Sequence, residues 1–247
     1  MVKNIFSALQ DYAGGFALIS KLKLWRYFLI PMLISVVVGL VITLIAYGLS
    51  DNIGQFISRI WIWEFGKETF TVISEILGGM MIVIIGVILF KYIILALSAP
   101  FMSPVSEKIE AHLFNEQKEY RQTNFSQQLW RGIRINVRNL FMELFITILI
   151  LLFSLIPIIG WITSILLIFT QAYYAGFGSM DYTLERHFDY KSSVAVVRQN
   201  RGIAIGNGLV FLLLLLIPVI GVILVLPLCV TAASLSTVKL IEEKEGI

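Results

Sequence analysis

Four long apolar runs alternate with polar segments along the chain. The first run, Tyr27–Ser50, has no charged residue and exceeds the ~20 residues that a helix needs to cross the hydrocarbon core of a bilayer. The second lies at about residues 74–98 and carries Lys91 near its second end. We predict transmembrane helices over residues 27–50 and 74–98.

The other two runs, Leu144–Met180 and Gly202–Val238, contain nearly the same phrase near their centres. It reads LIPIIG at residues 155–160 and LIPVIG at residues 216–221. Proline cannot donate a backbone hydrogen bond and clashes with the preceding helical turn, while glycine accommodates the turn that follows. The phrase therefore predicts an interruption of the helix near the centre of each run.

We interpret each interrupted run as a helical hairpin, over residues 140–178 and residues 202–238. The tips, at residues 157–160 and 218–221, are formed by Pro157, Gly160, Pro218 and Gly221. Each run is slightly short of the about 40 residues and a turn that two full crossings need. The tips therefore either just reach the far interface or stop inside the bilayer against neighbouring protein. Two ordinary pairs of short transmembrane helices are the alternative.

The polar segments carry amphipathic patterns of their own. Residues 1–23 have the pattern of a helix that lies at the membrane interface. Within residues 103–138 apolar residues recur at four-residue spacing, and Pro104 favours a helix start at Ser103, so we predict cytoplasmic amphipathic helices here. The aromatic segment WIWEF at residues 61–65 favours an interfacial anchor on the outer side.

Lysine and arginine predict the orientation of this single membrane domain, residues 1–247. Cytoplasmic loops are enriched in these residues, and the basic segments all fall on one side if two helices cross and both hairpins return. Asp51–Glu75, where acids outnumber bases, falls on the opposite side. We predict that both termini are cytoplasmic and that the first span is an uncleaved anchor.

Composition identifies the class of protein. Of the 247 residues, 58% are hydrophobic and 14% are charged, whereas a soluble domain carries about 25% charged residues. This indicates an all-α integral membrane protein, with bilayer lipid as a partner. The net charge of +3 gives no signal of nucleic-acid binding. The single cysteine, Cys229, excludes an intramolecular disulfide.

Catalytic signatures are missing from the sequence. It has no metal-ligand spacing of Cys and His, no nucleophile elbow and no phosphate-binding glycine loop. His112 and His187 lie far apart on polar segments, which favours solvated surface positions, and Glu107 and Glu110 are typical of a solvated helix face. We therefore predict that the protein is not an enzyme and holds no cofactor and no metal.

A few basic residues are candidates for contact with an anion. Arg26, Arg138 and Arg201 each stand where an apolar segment begins. A cation there opposes the positive end of the helix dipole, and an anion would satisfy both the cation and the free backbone N–H groups. Enrichment of arginine in cytoplasmic segments is the plainer explanation. Lys91 either reaches the cytoplasmic interface with its long side chain or makes a contact inside the membrane.

The order of these segments resembles the CysZ-type sulfate permease family, whose relatives include the eukaryotic etoposide-induced, autophagy-linked membrane proteins. The resemblance is carried by LKLWRYFLIPMLIS at residues 22–35, LSAPFMSPVSEKIEAHL at residues 97–113 and the two proline-glycine hairpins. Its most specific part is APF at residues 99–101 followed by EK at residues 107–108. The resemblance covers nearly the whole chain.

The resemblance implies a fold and a function. The implied fold has two full transmembrane helices and two hairpins that only partly penetrate the bilayer, assembled as a homo-oligomer. The implied function is to admit sulfate across the bacterial inner membrane to the cytoplasm for cysteine synthesis. The hairpin tips would then be the buried ends of the two partly penetrating hairpins.

The resemblance also implies an anion site before the first long helix, where the sulfate permeases read Gly-x-Arg-Arg. The matching positions here read Lys23-Leu24-Trp25-Arg26, so only Arg26 carries over. Lysine supplies charge but lacks the planar fork with which arginine holds an oxyanion. The loss of the glycine is expected to hinder the tight approach of the backbone.

Two functions follow from these observations. In the first, the protein is a passive or ion-coupled permease for sulfate or a similar oxyanion, in which Arg26 and Lys23 bind the anion. Arg138, Arg201 and Lys91 would then form a basic vestibule. In the second, the protein is a membrane-organising scaffold of the same family that moves no solute, an interpretation that the altered anion motif favours. The family resemblance and the uncharged hairpin tips favour the permease, which is the function we predict.

Overall fold

The structure is a computed structural model, and it consists almost entirely of helices. It describes residues 2–58, 67–114, 121, 123–154, 160–217 and 219–245. The helices are α1 (Val2–Lys21), α2 (Trp25–Ser58), α3 (Lys67–Phe114), α4 (Phe125–Ser154), α5 (Gly160–His187), α6 (Tyr190–Gln199), α7 (Arg201–Leu215) and α8 (Ile220–Glu245). No strand occurs among the described residues, which confirms the all-α prediction.

Four of the described helices are long and apolar enough to cross a membrane. Their apolar stretches are Trp25–Leu49, Ile85–Phe114, Phe125–Ser154 and Gly221–Glu243. Length and composition thus define a multi-pass membrane protein. The WIWEF segment lies outside the described residues, so its role as an anchor stays a prediction.

Two proline residues do not end α3, contrary to the sequence analysis. The helix passes through Pro100 and Pro104 without a break, so the helix start expected at Ser103 is not found. Each proline removes one backbone hydrogen bond, but Met102 and Val105 beside them are fully buried in the core. Because packing of a buried face supplies most of the stability of a helix in a protein, it outweighs this local loss.

The predicted interruptions coincide with helix ends. Helix α4 ends at Ser154 and α5 begins at Gly160, while α7 ends at Leu215 and α8 begins at Ile220. In both pairs the two helices pack against each other. Pro157 and Pro218 lie outside the described residues, and the depth of the tips in a membrane stays a prediction.

The two helix pairs meet where α5 crosses α7 at small residues. A Cβ atom added to Gly176 would lie 1.8 Å from the carbonyl oxygen of Ala204, and one added to Gly208 would lie 1.7 Å from that of Ala172. Each helix thus presents two small residues four positions apart, the spacing that lets apolar helices approach closely inside a membrane. This crossing holds the two pairs together.

Charged pairs gather at one end of the bundle, which we call the charged end. Here α2, α4 and α7 begin, and α3, α5 and α8 finish. The buried side chains of α5 from Ala172 to Arg186 and most of those of α8 from Val225 onward also lie in this half. The candidate basic residues Lys23, Arg26 and Arg201 lie at this end, where α2 and α7 begin.

Candidate anion-binding site

The turn between α1 and α2 keeps a conformation that glycine favours, although it holds a lysine. The backbone N–H of Leu24 donates to the carbonyl of Ile19 at 2.9 Å, and that of Lys23 donates to Ser20 at 3.2 Å. These two bonds form the Schellman motif that commonly ends a helix. Lys23 adopts φ 52° at its left-handed position. The substitution of the glycine has therefore not abolished the turn.

The start of α2 directly follows this turn. Leu24 is fully buried in the core and fixes the turn to the bundle. Tyr27 donates its backbone N–H to the carbonyl of Leu24 at 2.8 Å. The N–H groups of Trp25 and Arg26 precede the first acceptors within the helix, so they have no carbonyl of α2 to bond to. Together with the helix dipole, they make this point favourable for an anion.

Cationic side chains surround the start of α2. Arg26 is exposed, donates to the hydroxyl of Tyr27 at 3.3 Å and lies 5.0 Å from the centre of the Tyr27 ring. From helix α3, the ammonium of Lys108 lies 5.2 Å from the centre of the same tyrosine ring. Lys23 is exposed on the turn. Arg26, Lys23 and Lys108 thus carry three positive charges beside free backbone donors, and we call this group the α2-start site.

Trp25 has a supporting position at the α2-start site. Its indole N–H faces the hydroxyl of Ser20 at 3.4 Å, and its ring meets the edge of Phe16 at 6.1 Å between centres. It therefore braces the turn from the α1 side rather than offering a charge. Of the four predicted residues, Lys23 and Arg26 are exposed to a ligand, whereas Leu24 and Trp25 shape the backbone.

Arg138 and Arg201, predicted from their places at helix starts, line one cavity. Its volume is about 580 Å³, and Arg198 lines it as well. The cavity lies between α4, α5 and α7, and we call it the arginine cavity. Neither Arg26 nor Lys91 is among its lining residues. The structure therefore brings two of the predicted vestibule residues together and places Lys91 elsewhere.

Lys91 makes a buried ion pair, so the expectation that it reaches the interface is wrong. Its side chain is 3% exposed, and its ammonium lies 2.7 Å and 3.0 Å from the two carboxylate oxygens of Glu143. The hydroxyl of Tyr92 donates to the same carboxylate at 2.5 Å. A charged residue inside an apolar span is costly unless it is paired, and Glu143 supplies the partner from α4. Glu143 was overlooked because it directly precedes the uncharged run.

Glu110 is also buried, so its interpretation as a solvated residue is wrong. Its carboxylate is fully buried and lies 2.5 Å from the guanidinium of Arg186 and 2.9 Å from the ring of His187. The side chain of His187 is only 11% exposed, which also corrects its assignment to the surface. A sequence pattern could have indicated this burial: Ser103, Ser106 and Glu110 recur at helical spacing on one face of α3, and all three are buried.

A further buried pair joins α4 to α5 at the charged end. The guanidinium of Arg131 binds both carboxylate oxygens of Asp181, at 2.9 Å and 3.1 Å, and donates to the hydroxyl of Ser193 at 2.7 Å. Beside this pair, burial and the charge of Asp181 raise the pKa of Glu185 to about 7. The sequence alone does not predict this cluster, since nothing local links residue 131 to residue 181.

A metal centre finds no support in the part of the chain that the structure describes. There, no group of three or more His, Cys, Asp or Glu side chains could hold a metal ion. The ring of His112 stands 3.4 Å from the ammonium of Lys21. The arrangement as a whole is one of fixed positive charges at the surface and neutralised charges inside.

The fold and the α2-start site define a multi-pass α-helical membrane protein that offers positive charge to anions. Comparison with protein families identifies the family: the one described as "Sulfate transporter CysZ/Etoposide-induced protein 2.4" matches residues 12–226. The chain belongs to this family, as the resemblance indicated. A comparison with curated proteins gave no match.

Proposed function

We propose that this protein is a permease that lets sulfate or a similar tetrahedral oxyanion pass through the membrane. Membership of the sulfate transporter family supports a transport role for the chain. We further propose that it works in the bacterial inner membrane with both termini in the cytoplasm, and that the sulfate serves cysteine synthesis. A homo-oligomer is part of the proposal, since partly penetrating hairpins need neighbours to cover their backbone.

The observation that carries the proposal is the left-handed turn at Lys23. Because the turn is retained, α2 begins with two free backbone donors beside the exposed guanidinium of Arg26. An oxyanion has oxygens on every side, so it accepts from backbone N–H groups and from a guanidinium at the same time. The lysine at this turn adds charge where the sulfate permeases have glycine.

The α2-start site suits capture and release rather than tight retention. Arg26 and Lys23 are exposed, so water competes for both cations and lowers the affinity for an anion. A permease needs a site that attracts its substrate and lets it leave again. We propose that the anion moves down its gradient or with a coupled ion.

Radiolabelled sulfate uptake into proteoliposomes tests this proposal. We expect uptake above empty liposomes for the wild type, and an initial rate about tenfold lower or more for Arg26→Ala, because a hydrogen bond to a charged group contributes about 1.5–3 kcal/mol. Lys191→Ala is the matched control, since Lys191 is an exposed lysine on α6 outside the site; we expect it to transport like the wild type.

A second variant separates the charge of Lys23 from its backbone. Lys23→Gly keeps the left-handed turn, which glycine adopts without strain, and removes only the charge. We expect a smaller loss of uptake than for Arg26→Ala. Equal uptake by wild type and Arg26→Ala would refute the α2-start site, and no uptake by folded, inserted wild type would refute transport and favour the scaffold interpretation.

A further inference from the structure

The arginine cavity has two chemically different walls. One wall is basic and carries Arg138 from α4, Arg198 from the end of α6 and Arg201 from the start of α7. Tyr173 and Tyr174 stand between the basic and the apolar parts, with their ring centres 4.9 Å apart. None of the residues that line the cavity is an aspartate or a glutamate.

The three arginines retain donors that no acid uses. Arg201 gives one N–H to the backbone carbonyl of Arg198 at 3.1 Å, and Arg138 gives one to the side-chain oxygen of Asn139 at 3.0 Å. Among the described residues, none of the three forms an ion pair, in contrast to Lys91, Arg131 and Arg186. A guanidinium has five N–H donors, so most of the hydrogen-bonding capacity of this wall is unfilled.

The start of α7 adds to the same wall. Its capping residue Asn200 makes no side-chain hydrogen bond to the first turn; its amide instead donates to the carbonyl of Val196 at 2.9 Å. The Asn200 side chain therefore caps none of the first backbone N–H groups of α7, which lie next to Arg201. An uncapped helix start beside three unpaired arginines favours a multivalent anion.

The rest of the cavity lining, further along the helices from the arginines, is mainly apolar and partly exposed. Met142 of α4 and Leu166 of α5 line the cavity and are 40% and 50% exposed. The exposed apolar surface continues from them along the hairpin through Phe145 and Ile165, which are 61% and 58% exposed. In a protein that spans a membrane, such a surface faces acyl chains or another apolar partner. The arginine cavity is thus basic on one side and continuous with a lipid-compatible face on the other.

The position of the arginines along the chain fits the level of lipid headgroups. Arg201 directly precedes the uncharged run that starts at Gly202, and Arg138 lies shortly before the run that starts at Leu144. At these points the charged segments give way to the apolar arms. Basic pockets between membrane helices at this level are suited to acidic headgroups.

We propose that the arginine cavity binds an acidic phospholipid, with the headgroup phosphate on Arg138, Arg198 and Arg201 and the acyl chains along α4 and α5. The arginines account for binding of a phosphate group. The apolar part of the cavity accounts for a ligand with acyl chains, that is, a lipid and not a free oxyanion. Binding would link α4 to α7, two helices that do not pack closely on each other among the described residues. The inference does not rest on the proposed transport, because the α2-start site shares no residue with the cavity.

Thermal unfolding of the full-length protein in a neutral detergent tests the inference. Phosphatidylglycerol, phosphatidylcholine with the same chains, inorganic phosphate and sulfate are each titrated, and the apparent affinity is taken from the rise of the unfolding midpoint. We expect phosphatidylglycerol to raise the midpoint, and the other three to have little effect at the same concentration. This comparison uses the wild type alone and needs no variant.

Two double variants locate the binding. We expect Arg198→Gln/Arg201→Gln to weaken phosphatidylglycerol roughly thirtyfold, the effect of losing two basic contacts to an acidic lipid. Arg121→Gln/Lys191→Gln removes the same charge from exposed positions away from the cavity, and we expect the affinity to stay within about twofold. Arg198 and Arg201 are also exposed, so both variants should unfold like the wild type without lipid.

Four outcomes would overturn the inference. Equal stabilisation by phosphatidylcholine would show that no acidic headgroup is recognised, and equal stabilisation by phosphate or sulfate would assign the cavity to a free oxyanion. Unchanged affinity in Arg198→Gln/Arg201→Gln would remove the lipid from this cavity. An equal loss in the control variant would reduce the effect to overall charge. Binding of free sulfate would return Arg138 and Arg201 to the basic vestibule of a permease, whereas the other three outcomes leave the uptake test of the α2-start site unaffected.

Discussion

The two hairpins share a six-residue phrase but differ in their places in the molecule. Only 17% of the most apolar window of α4 is buried, against 78% of that of α8. Helix α8 packs against α1, α2, α3, α5 and α7, whereas α4 packs chiefly against α3 and α5. The repeated phrase therefore predicts where a helix turns back, and it does not predict how deeply the arm on either side of it lies in the bundle.

The residues of the two arms explain the difference. Helix α8 buries a run of small side chains, among them Cys229, Ala232 and Ala233, which let neighbouring backbones approach from several sides. Helix α4 carries large apolar side chains instead, and Phe141 and Phe145 are more than half exposed. Small residues make α8 a central helix, and bulky residues leave α4 an outer one that is suited to lipid or a second subunit.

The largest effect is expected from the ion pair that holds the outer arm, Lys91 with Glu143. Lys91→Met leaves the carboxylate of Glu143 buried without its cation, and removing one partner of a buried pair costs about 3–5 kcal/mol. We expect the free energy of unfolding in detergent to fall by this amount. Chemical unfolding followed by circular dichroism measures it.

A double variant checks the cause. In Lys91→Met/Glu143→Leu both charges are gone, and we expect most of the lost stability to return, because an apolar pair of similar size often replaces a buried ion pair at little cost. If the double variant is as unstable as Lys91→Met, the side-chain volume at this position matters rather than the charge. In that case α4 is held by packing, like α8, and the contrast between the hairpins weakens.

The next effect concerns the crossing of α5 and α7, where the hairpins meet. Gly208→Ala would place a methyl group 1.7 Å from the carbonyl oxygen of Ala172, so the helices must separate. We expect a loss of about 3 kcal/mol, the upper part of the usual range for overpacking. Gly14→Ala on α1 is the control, since no atom lies within 4 Å of the added group; we expect it to be neutral or slightly stabilising. Equal melting temperatures for the two variants would contradict a close crossing.

Much of the architecture was predictable because it depends on local patterns. Long apolar runs predicted the spans, and the LIPxIG phrases predicted the helix ends near Ser154 and Leu215. Family resemblance directed attention to Arg26. For the spans and the helix ends, the signal lies in the residues of the feature itself or directly beside it.

The rest depended on partners that are distant in the sequence. Lys91 and Glu143 lie 52 residues apart, and Arg186 reaches Glu110 from 76 residues away. A charged residue looks solvated when only its neighbours in the sequence are considered, as Glu110 did. The continuity of α3 through its prolines has the same origin, because burial of the surrounding face is a property of the whole bundle.

A smaller effect is expected at the tips, where the shared phrase can be compared directly. A Cβ atom on Gly221 would lie 1.8 Å from the carbonyl oxygen of Leu214, whereas one on Gly160 would meet nothing closer than 3.7 Å. We expect Gly221→Ala to cost about 2 kcal/mol and Gly160→Ala to stay within about 0.5 kcal/mol. Thermal unfolding of the two variants side by side measures the difference. Equal losses would mean that the two tips are built alike.

The last effect depends on pH and is expected near the end of α5, at Glu185, which lies outside the four apolar spans. Burial and the charge of Asp181 raise its pKa from 4.5 to about 7, so between these values the folded protein binds more protons than the unfolded chain. Stability must therefore fall as the pH rises from about 4.5 to about 7. The charge of Arg131 and a hydrogen bond from Thr123 already moderate this pKa. Since one pKa unit corresponds to about 1.4 kcal/mol, we expect a decline of roughly 3 kcal/mol at most across this range.

Glu185→Gln isolates this contribution, because the amide does not titrate. The midpoint of thermal unfolding should decline less from pH 5 to pH 8 in the variant than in the wild type, and the difference between the two slopes belongs to Glu185. The second hairpin ends instead near Lys239, whose side chain is 53% exposed. Lys191→Gln, at an exposed position on α6, is the control and should leave the slope unchanged. Parallel slopes in wild type and Glu185→Gln would mean that water reaches Glu185, and the end of the first hairpin would then be as open as the second.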